Sequence, residues 1–311
     1  PGAALYRLPF DGSGLGALRT HGSPIDQFSF TEHHGALAVV LRDRGLGEAM
    51  LASEHETTDR MSLLRVPVSA LTAGVADVEP EAFAPLPSPG DPRRGLVDRF
   101  VGEHLLYGQG DPWWEPAART PSVLHVVRWT ETSPTATAIP MRHGVERIEP
   151  LGGHALVVGG DREDLHFSSV SLGSDARVVD RHVQPGAAQG ETRSHGFSFA
   201  ATGEHRGILG LPVRAGEQHG WMHLVEGSSG VAYLSVDALA LSPLGALAER
   251  PVREVDDRCL TSCIDWYGSA RPLFVDDRVF ALLGYALVEG RVRRGRIEEL
   301  ARADLLAALP R

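Results

Sequence analysis

The stretch Phe28-Ser29-Phe30-Thr31-Glu32-His33-His34-Gly35-Ala36-Leu37-Ala38-Val39-Val40-Leu41-Arg42 returns later in the chain. Its echo is Phe197-Ser198-Phe199-Ala200-Ala201-Thr202-Gly203-Glu204-His205-Arg206-Gly207-Ile208-Leu209-Gly210-Leu211-Pro212-Val213-Arg214. Both copies read as an apolar strand, a polar turn carrying Glu-His-X-Gly, and a second apolar strand ending in Arg. That is the pattern of a β-hairpin. Fainter echoes surround Gly102-Glu103-His104, Gly152-Gly153-His154 and Asp276-Asp277-Arg278. Aligning the first residue of each second strand gives Ala36, Leu105, Ala155, Ile208 and Val279, with spacings of 69, 50, 53 and 71 residues.

Between the hairpins lie further strand-like runs. Ser122-Val123-Leu124-His125-Val126-Val127-Arg128-Trp129 is nearly continuous in apolar residues, as in a strand buried on both faces. Each unit thus offers about four strands, and four-stranded units repeated along a chain signal a β-propeller. The units exceed the roughly 40–50 residues of familiar propeller repeats; the polar stretch 43–60 and the loop 109–120 carry much of the surplus. The expected organisation is one all-β domain over residues 1–311, a β-propeller with about five blades at 24–85, 95–140, 144–185, 194–253 and 260–311. The fifth unit reads as running short after its hairpin, so residues 1–20 are expected to supply strands that complete a blade. The competing expectation, suggested by a start at Pro1, is one part of a larger seven- or eight-bladed propeller. The Pro-rich segment Glu79–Arg94 reads as loop.

Composition agrees with a turn-rich β chain: 35 Gly and 21 Pro among 311 residues, with 6% aromatics. The formal charge is −10, with no Lys at all, which argues against the basic surface of a nucleic-acid binder. There is no Asn, so N-glycosylation is excluded. No apolar run approaches the roughly 18 residues of a membrane span. The two cysteines, Cys259 and Cys263 in Cys-Leu-Thr-Ser-Cys, are expected to form a short disulfide, which would place the chain outside the cytoplasm. Two unlinked buried thiols are the plainer alternative. Zinc lacks a second Cys pair or a nearby His.

Gly22-Ser23-Pro24-Ile25-Asp26-Gln27-Phe28-Ser29-Phe30-Thr31-Glu32-His33-His34-Gly35 resembles the "NQFSMDEHxG" segment of a bacterial secreted family with a C-terminal β-propeller distantly related to WD40 repeats. Ser194-His195-Gly196-Phe197 is similar to that family's "DHKAF" segment. Cys263 through Gly290 looks like a variant of its C-terminal block. The pattern departs at Asp26, where the family has Asn, and at Gly196, which replaces Lys-Ala. The resemblance implies a propeller, export to the bacterial envelope as a secreted or cell-surface protein, and further sequence upstream.

Glu32, His33 and His195 are the polar residues that fall on those segments. They can be read as a metal or ligand site converging on the propeller axis or one rim. They can equally be read as groups that close turns and satisfy backbone between blades, and their recurrence at hairpins favours this second reading. Trp113 and Trp114, in a Gly/Pro-flanked loop, are costly to leave in water. They either fold over a blade or present a contact surface to a partner or sugar. No Gly-X-Ser-X-Gly elbow is present, since Gly227-Ser228-Ser229-Gly230 is a turn sequence. No cofactor is called for, with calcium or another divalent metal left open. The function read from the sequence is a non-catalytic extracellular propeller that binds a protein partner or ligand, or scaffolds an assembly. Its partner would be a separate protein or an upstream segment of the same precursor. The competing readings are a metal-dependent hydrolase with an axial site and a structural subunit of a cell-surface assembly.

Overall fold

Alternation along the strands decides which way each side chain faces. In Ala36–Arg42, Val39 and Leu41 join one apolar cluster while Ala38 and Val40 join another, and all four are fully buried. A strand that buries both faces lies in a sheet sandwiched between two others, which is why the sequence reads as a continuous apolar run rather than an alternating one.

A computed structural model describes residues 2–43, 60–71, 74–90, 94–110, 122–161, 163–203, 205–215, 230–248, 270–284 and 286–304. They group into two compact units, Pro1–Ile148 and Glu149–Arg311. In the first unit, the first sheet pairs Gly2–Arg7 with Gly16–His21, which in turn takes Gly74–Asp77 in parallel. The second sheet runs from Ser23–Pro24 and Phe30–His33, both paired with Ala36–Arg42, to Met61–Pro67 and Phe83–Leu86. The third is the meander Gly95–Val101, His104–Gly110, Ser122–Arg128 and Ala136–Met141. Leu5 and Leu18 of the first sheet pack on Val39, Leu41, Leu64 and Val66 of the second. The second sheet's other face, with Ala38, Val40, Met61 and Leu63, meets Leu105, Tyr107, Val127 and Trp129 of the third.

The second unit repeats the scheme. The strand Arg147–Leu151, in which the first unit ends and the second begins, opens the fourth sheet, followed by His154–Gly160, Leu165–Ser171 and Arg177–Gln184. The fifth sheet carries Ala187–Gln189 and Ser198–Gly203, both on Arg206–Ala215, then Gly230–Asp237 and Ala240–Ala248. The sixth is Arg271–Val275, Arg278–Leu283, Ala286–Arg293 and Arg296–Asp304. Leu156, Val158 and Phe167 pack on Leu209, Leu211 and Leu234 between the fourth and fifth sheets. Val231, Tyr233 and Leu247 pack on Val279, Ala281 and Val288 between the fifth and sixth. The chain is all-β, and its four-stranded up-and-down sheets, in the order of the recurring hairpins, are the building unit of a β-propeller.

Three expectations are corrected. Residues 1–20 do not complete the C-terminal sheet. Their strands pair with one another and with Gly74–Asp77, because Leu5 and Leu18 are buried against the second sheet. The sixth sheet is not short: Arg294 and Gly295, at φ 50° and 74°, make a tight turn, and Arg296–Asp304 supplies the fourth strand. Its alternation was hidden because this outer strand is Arg- and Glu-rich and mostly exposed. The segment 79–94 also holds a strand, Phe83–Leu86, at the edge of the second sheet, where Pro85 costs no ladder hydrogen bond.

Candidate binding site

One face of the first sheet packs on the second sheet through Leu5 and Leu18, and its other face is apolar and largely exposed. Tyr6, Ala17 and Val75 stand opposite one another in a single row, pointing away from Leu5 and Leu18. Ala17 is buried between its neighbours, whereas Tyr6 is 64% and Val75 61% exposed. The segment joining the first two strands adds Leu8, Leu15 and a fully exposed Phe10. Five of the ten exposed large apolar side chains among the described residues thus belong to this sheet and its connection. Scattered apolar residues are ordinary on a surface, but a cluster of this kind marks an interaction site. Arg19 and Asp77 flank the row on the same face, 3.3 Å apart.

A second concavity lies at the turn end of the second and third sheets. It is an open cleft of about 580 Å3 lined by His33, His34, Arg65, Pro67, Glu81 and Trp129. His34 and Gly35 hold φ of 50° and 75°, the two-residue hairpin turn that matches strand twist. The His33 and His34 rings lie 3.9 Å apart, and His33 meets Trp129 edge-on at 6.2 Å. Trp129 is anchored by its Nε1–H to the Gly102 carbonyl at 3.0 Å. The Arg65 guanidinium donates to the carbonyls of Trp129, Glu131 and Thr132, so it is spent on holding the wall. The second unit has a smaller cavity of about 170 Å3, at the turns of the fourth and fifth sheets, where His154 and His205 flank Phe199 and Leu239.

A polar seam crosses the packed interface of the second and third sheets. Ser29 is fully buried. Its Oγ accepts the N–H groups of Ile25 and Asp26, both at 3.0 Å, and donates to Asp98 Oδ1 at 3.0 Å. This knot holds the loop that splits the first strand of the second sheet into Ser23–Pro24 and Phe30–His33. Asp98 is 3% exposed, and its Oδ2 has no partner among the described residues. Burial, then the nearby Asp26 charge, pushes its carboxyl up to about 7, against the Ser29 hydrogen bond. Asp98, Tyr107 and His125 form one cross-strand row, with the Tyr107 and His125 rings stacked at 4.8 Å.

The fifth sheet carries the same interruption with a different solution. Between Ala187–Gln189 and Ser198–Gly203 lies the nearly buried Glu191. Arg193 donates to it through Nε at 2.9 Å and a terminal nitrogen at 2.6 Å, and His195 Nε2 stands at 3.4 Å. Burial pushes the Glu191 carboxyl up, but the Arg193 hydrogen bonds and charge, with His195, outweigh it and hold it below the usual range. Gly196 must be glycine here, because a Cβ would lie 2.7 Å from the Glu191 side chain and 2.8 Å from its carbonyl oxygen.

The residues singled out in the sequence therefore separate. His33 lines the cleft. Glu32, its neighbour on the strand, points to the opposite side of the sheet. His195 serves Glu191 in the other compact unit. Both Glu32 and His33 sit on the strand rather than at the turn, which is His34–Gly35. Trp113, Trp114, Cys259 and Cys263 lie outside the described residues. Among the described residues, no group of three or more His, Cys, Asp or Glu side chains is placed to hold a metal. Sequence reasoning passed over His34, Trp129 and Asp98. Only Asp98 carried a signal: it occupies the buried phase of Leu96-Val97-Asp98-Arg99-Phe100, where an apolar residue is expected.

No protein-family model and no curated protein matches the chain. It is similar in fold to hydrazine synthase of Kuenenia stuttgartiensis, at 8% identity and TM-score 0.36, over 83% of this chain and 62% of that one. It is also similar to a family 25 polysaccharide lyase, an ulvan lyase, at 11% identity and TM-score 0.38, over 89% and 71%. A xylan β-1,4-xylosidase of Bacillus halodurans aligns at 10% identity and TM-score 0.30, over 91% and 52%. The chain spans less than two thirds of the hydrazine synthase chain. At such scores these likenesses carry no argument about substrate or reaction, so the side chains of this protein must.

Proposed function

We propose that this chain is a non-catalytic binding and scaffolding module of the bacterial envelope, and that its partner is a protein that docks on the open face of the first sheet. The observation that carries the reading is the exposed apolar set of Tyr6 and Val75 on the first sheet with Leu8, Phe10 and Leu15 on the segment joining its first two strands. Charge narrows the partner. A formal charge of −10 opposes adhesion to nucleic acid or to anionic lipid, and an exposed apolar cluster suits a polypeptide surface. The Arg19–Asp77 pair beside the apolar row offers one charge of each sign to fix the partner's orientation.

A photo-crosslinking residue in place of Phe10, in the producing cells, is expected to give one discrete protein adduct. The same residue in place of Val179, an exposed apolar position on the fourth sheet, is expected to give none. A lipid adduct at Phe10, or equal labelling at both positions, would overturn the reading.

Export is part of the same proposal. It is supported by the likeness at residues 22–35 and by the Cys259–Cys263 spacing. Thiol titration of the unfolded, unreduced chain is expected to find no free thiol; two would remove the disulfide and its argument for export.

A further inference from the structure

The first sheet is one strand short. Among the described residues it holds Gly2–Arg7, Gly16–His21 and Gly74–Asp77, whereas each of the other five sheets has four strands or more. Gly74–Asp77 takes one side of Gly16–His21. On the other side Gly2–Arg7 is laddered to Gly16–His21 alone. Successive residues of an antiparallel strand turn their N–H and C=O groups to alternate sides, so half of Gly2–Arg7 directs them to the free edge. Such an edge invites another strand, and proteins blunt it with proline, charge, a bulge or short length. Each of the other five sheets has a proline in an edge strand, at Pro85, Pro140, Pro150, Pro243 and Pro272. The edge strands Arg177–Gln184 and Arg296–Asp304 are rich in charge. Gly74–Asp77 has only four residues and ends in Asp77, which pairs with Arg19. Gly2–Arg7 has six residues, no proline and no charge before Arg7.

We propose that an extended segment of the partner protein adds to the Gly2–Arg7 edge as the fourth strand of the first sheet. Strand addition rests on the reading that a protein docks on this sheet, and it supplies the means. Main-chain hydrogen bonds carry the affinity, and alternate side chains carry the selectivity. The row Val75, Ala17, Tyr6 runs straight to that edge, where Tyr6 is 64% exposed. The partner residue opposite Tyr6 extends the row and is apolar, best aromatic or β-branched. Residues two positions either side of it share that face, so the segment alternates in the strand period. A second copy of this chain is the poorer occupant, because each copy carries a formal charge of −10 and like charges oppose association.

The test follows the photo-crosslink at Phe10 through two proline variants in the producing cells. Neighbouring residues point their N–H groups to opposite sides. One of Ala3→Pro and Ala4→Pro therefore breaks a hydrogen bond to Gly16–His21, and the other removes only a donor on the free edge. The edge-facing variant is the one that keeps the parent's thermal midpoint to within about 2 °C. In it the Phe10 adduct is expected to fall at least about tenfold, since the proline ring takes the place of a ladder hydrogen bond. The peptide joined to Phe10 in the parent is expected to come from another protein and to carry apolar residues at every second position. A synthetic copy of that peptide, added to the purified chain, should slow hydrogen exchange at alternate amides of residues 3–7. This second measurement needs no substitution and decides alone if both variants unfold. An adduct undiminished in the edge-facing variant, or exchange unchanged by the peptide, overturns strand addition and leaves docking on the face standing. No adduct in the parent overturns both. A joined peptide from this chain itself gives the edge to a second copy and overturns the proposal.

Discussion

At about pH 8, Asp98→Asn is expected to be more stable than the parent chain, by on the order of 4 kcal/mol. Most substitutions of buried polar residues destabilise, so the sign is the informative part. Asp98 is 3% exposed, with its carboxyl pushed up to about 7 by burial and then by Asp26. In the unfolded chain the same group titrates near 3.9. Between those values the folded state holds a proton that the unfolded state has released. Stability from this group therefore falls as pH rises through that window, and is flat above it. Asparagine keeps the acceptor for the Ser29 hydroxyl and carries no charge to bury, so its advantage should be near zero at about pH 4 and full by about pH 8. Denaturant unfolding at those two pH values reads it directly. A variant less stable than the parent at both would show that Asp98 is ionised and well paired in the folded protein.

The charged groups around Asp98 bear on the same experiment. Asp26 is also pushed up, mainly by burial, and so contributes the same sign in the acid range. His125, on the same cross-strand row, is pushed down by burial. Its folded value below the ordinary one means that acidification through that region costs stability, opposite to Asp98. Glu191 and Asp161 are held low in the other unit and also lose stability on acidification. The whole-chain profile is a sum of opposing slopes. Only the difference between Asp98→Asn and the parent isolates one of them.

These contrasts show how far the sequence could be read. The recurring hairpins announced themselves because their inner strands bury both faces, which makes runs such as Ala38–Leu41 and Leu105–Tyr107 almost wholly apolar. The outer strands were harder. Arg177–Gln184 alternates between exposed and half-buried residues, and Arg296–Asp304 is mostly exposed, so hydrophobic pattern alone gives them a weak signal. The parallel pairing of Gly74–Asp77 with Gly16–His21 is a long-range contact that no local pattern encodes. The candidate site was less legible still. His33 stood out in the motif, but the wall it faces is Trp129, about a hundred positions along the chain. Glu191 reads as an unremarkable acid until the split strand brings it to a buried knot, whereas Asp98 is marked only by its place in a buried phase of its strand. Tyr6 and Val75 gave no sign that they share one face, because that depends on strand pairing.

Gly210→Ala is expected to cost about 2–3 kcal/mol, a large loss for one methyl group. Gly210 lies on the strand Arg206–Ala215 opposite Tyr233, at the packed interface of the fifth and sixth sheets. An added Cβ would stand 2.5 Å from Pro272 Cβ, 3.0 Å from its Cγ and 3.0 Å from Tyr233 Cε1. None of these can retreat cheaply. Pro272 is rigid and buried, and Tyr233 is fully buried with its hydroxyl donating to the Phe280 carbonyl at 2.7 Å. Overpacking at such a place forces the sheets apart, and the neighbouring contacts of Val231, Val279 and Val288 weaken with them. Gly153→Ala is the control: it sits in a hairpin turn with no atom within 4 Å of its added Cβ, so it should stay within about 0.5 kcal/mol of the parent. Pro272→Gly removes the obstructing atom from the other side. The double variant should therefore be at least about 1 kcal/mol more stable than the sum of the two single losses predicts, which is the mark of residues in contact. If Gly210→Ala instead behaves like Gly153→Ala, the fifth and sixth sheets do not meet through this glycine, and the stacking of sheets in the second unit must be drawn differently.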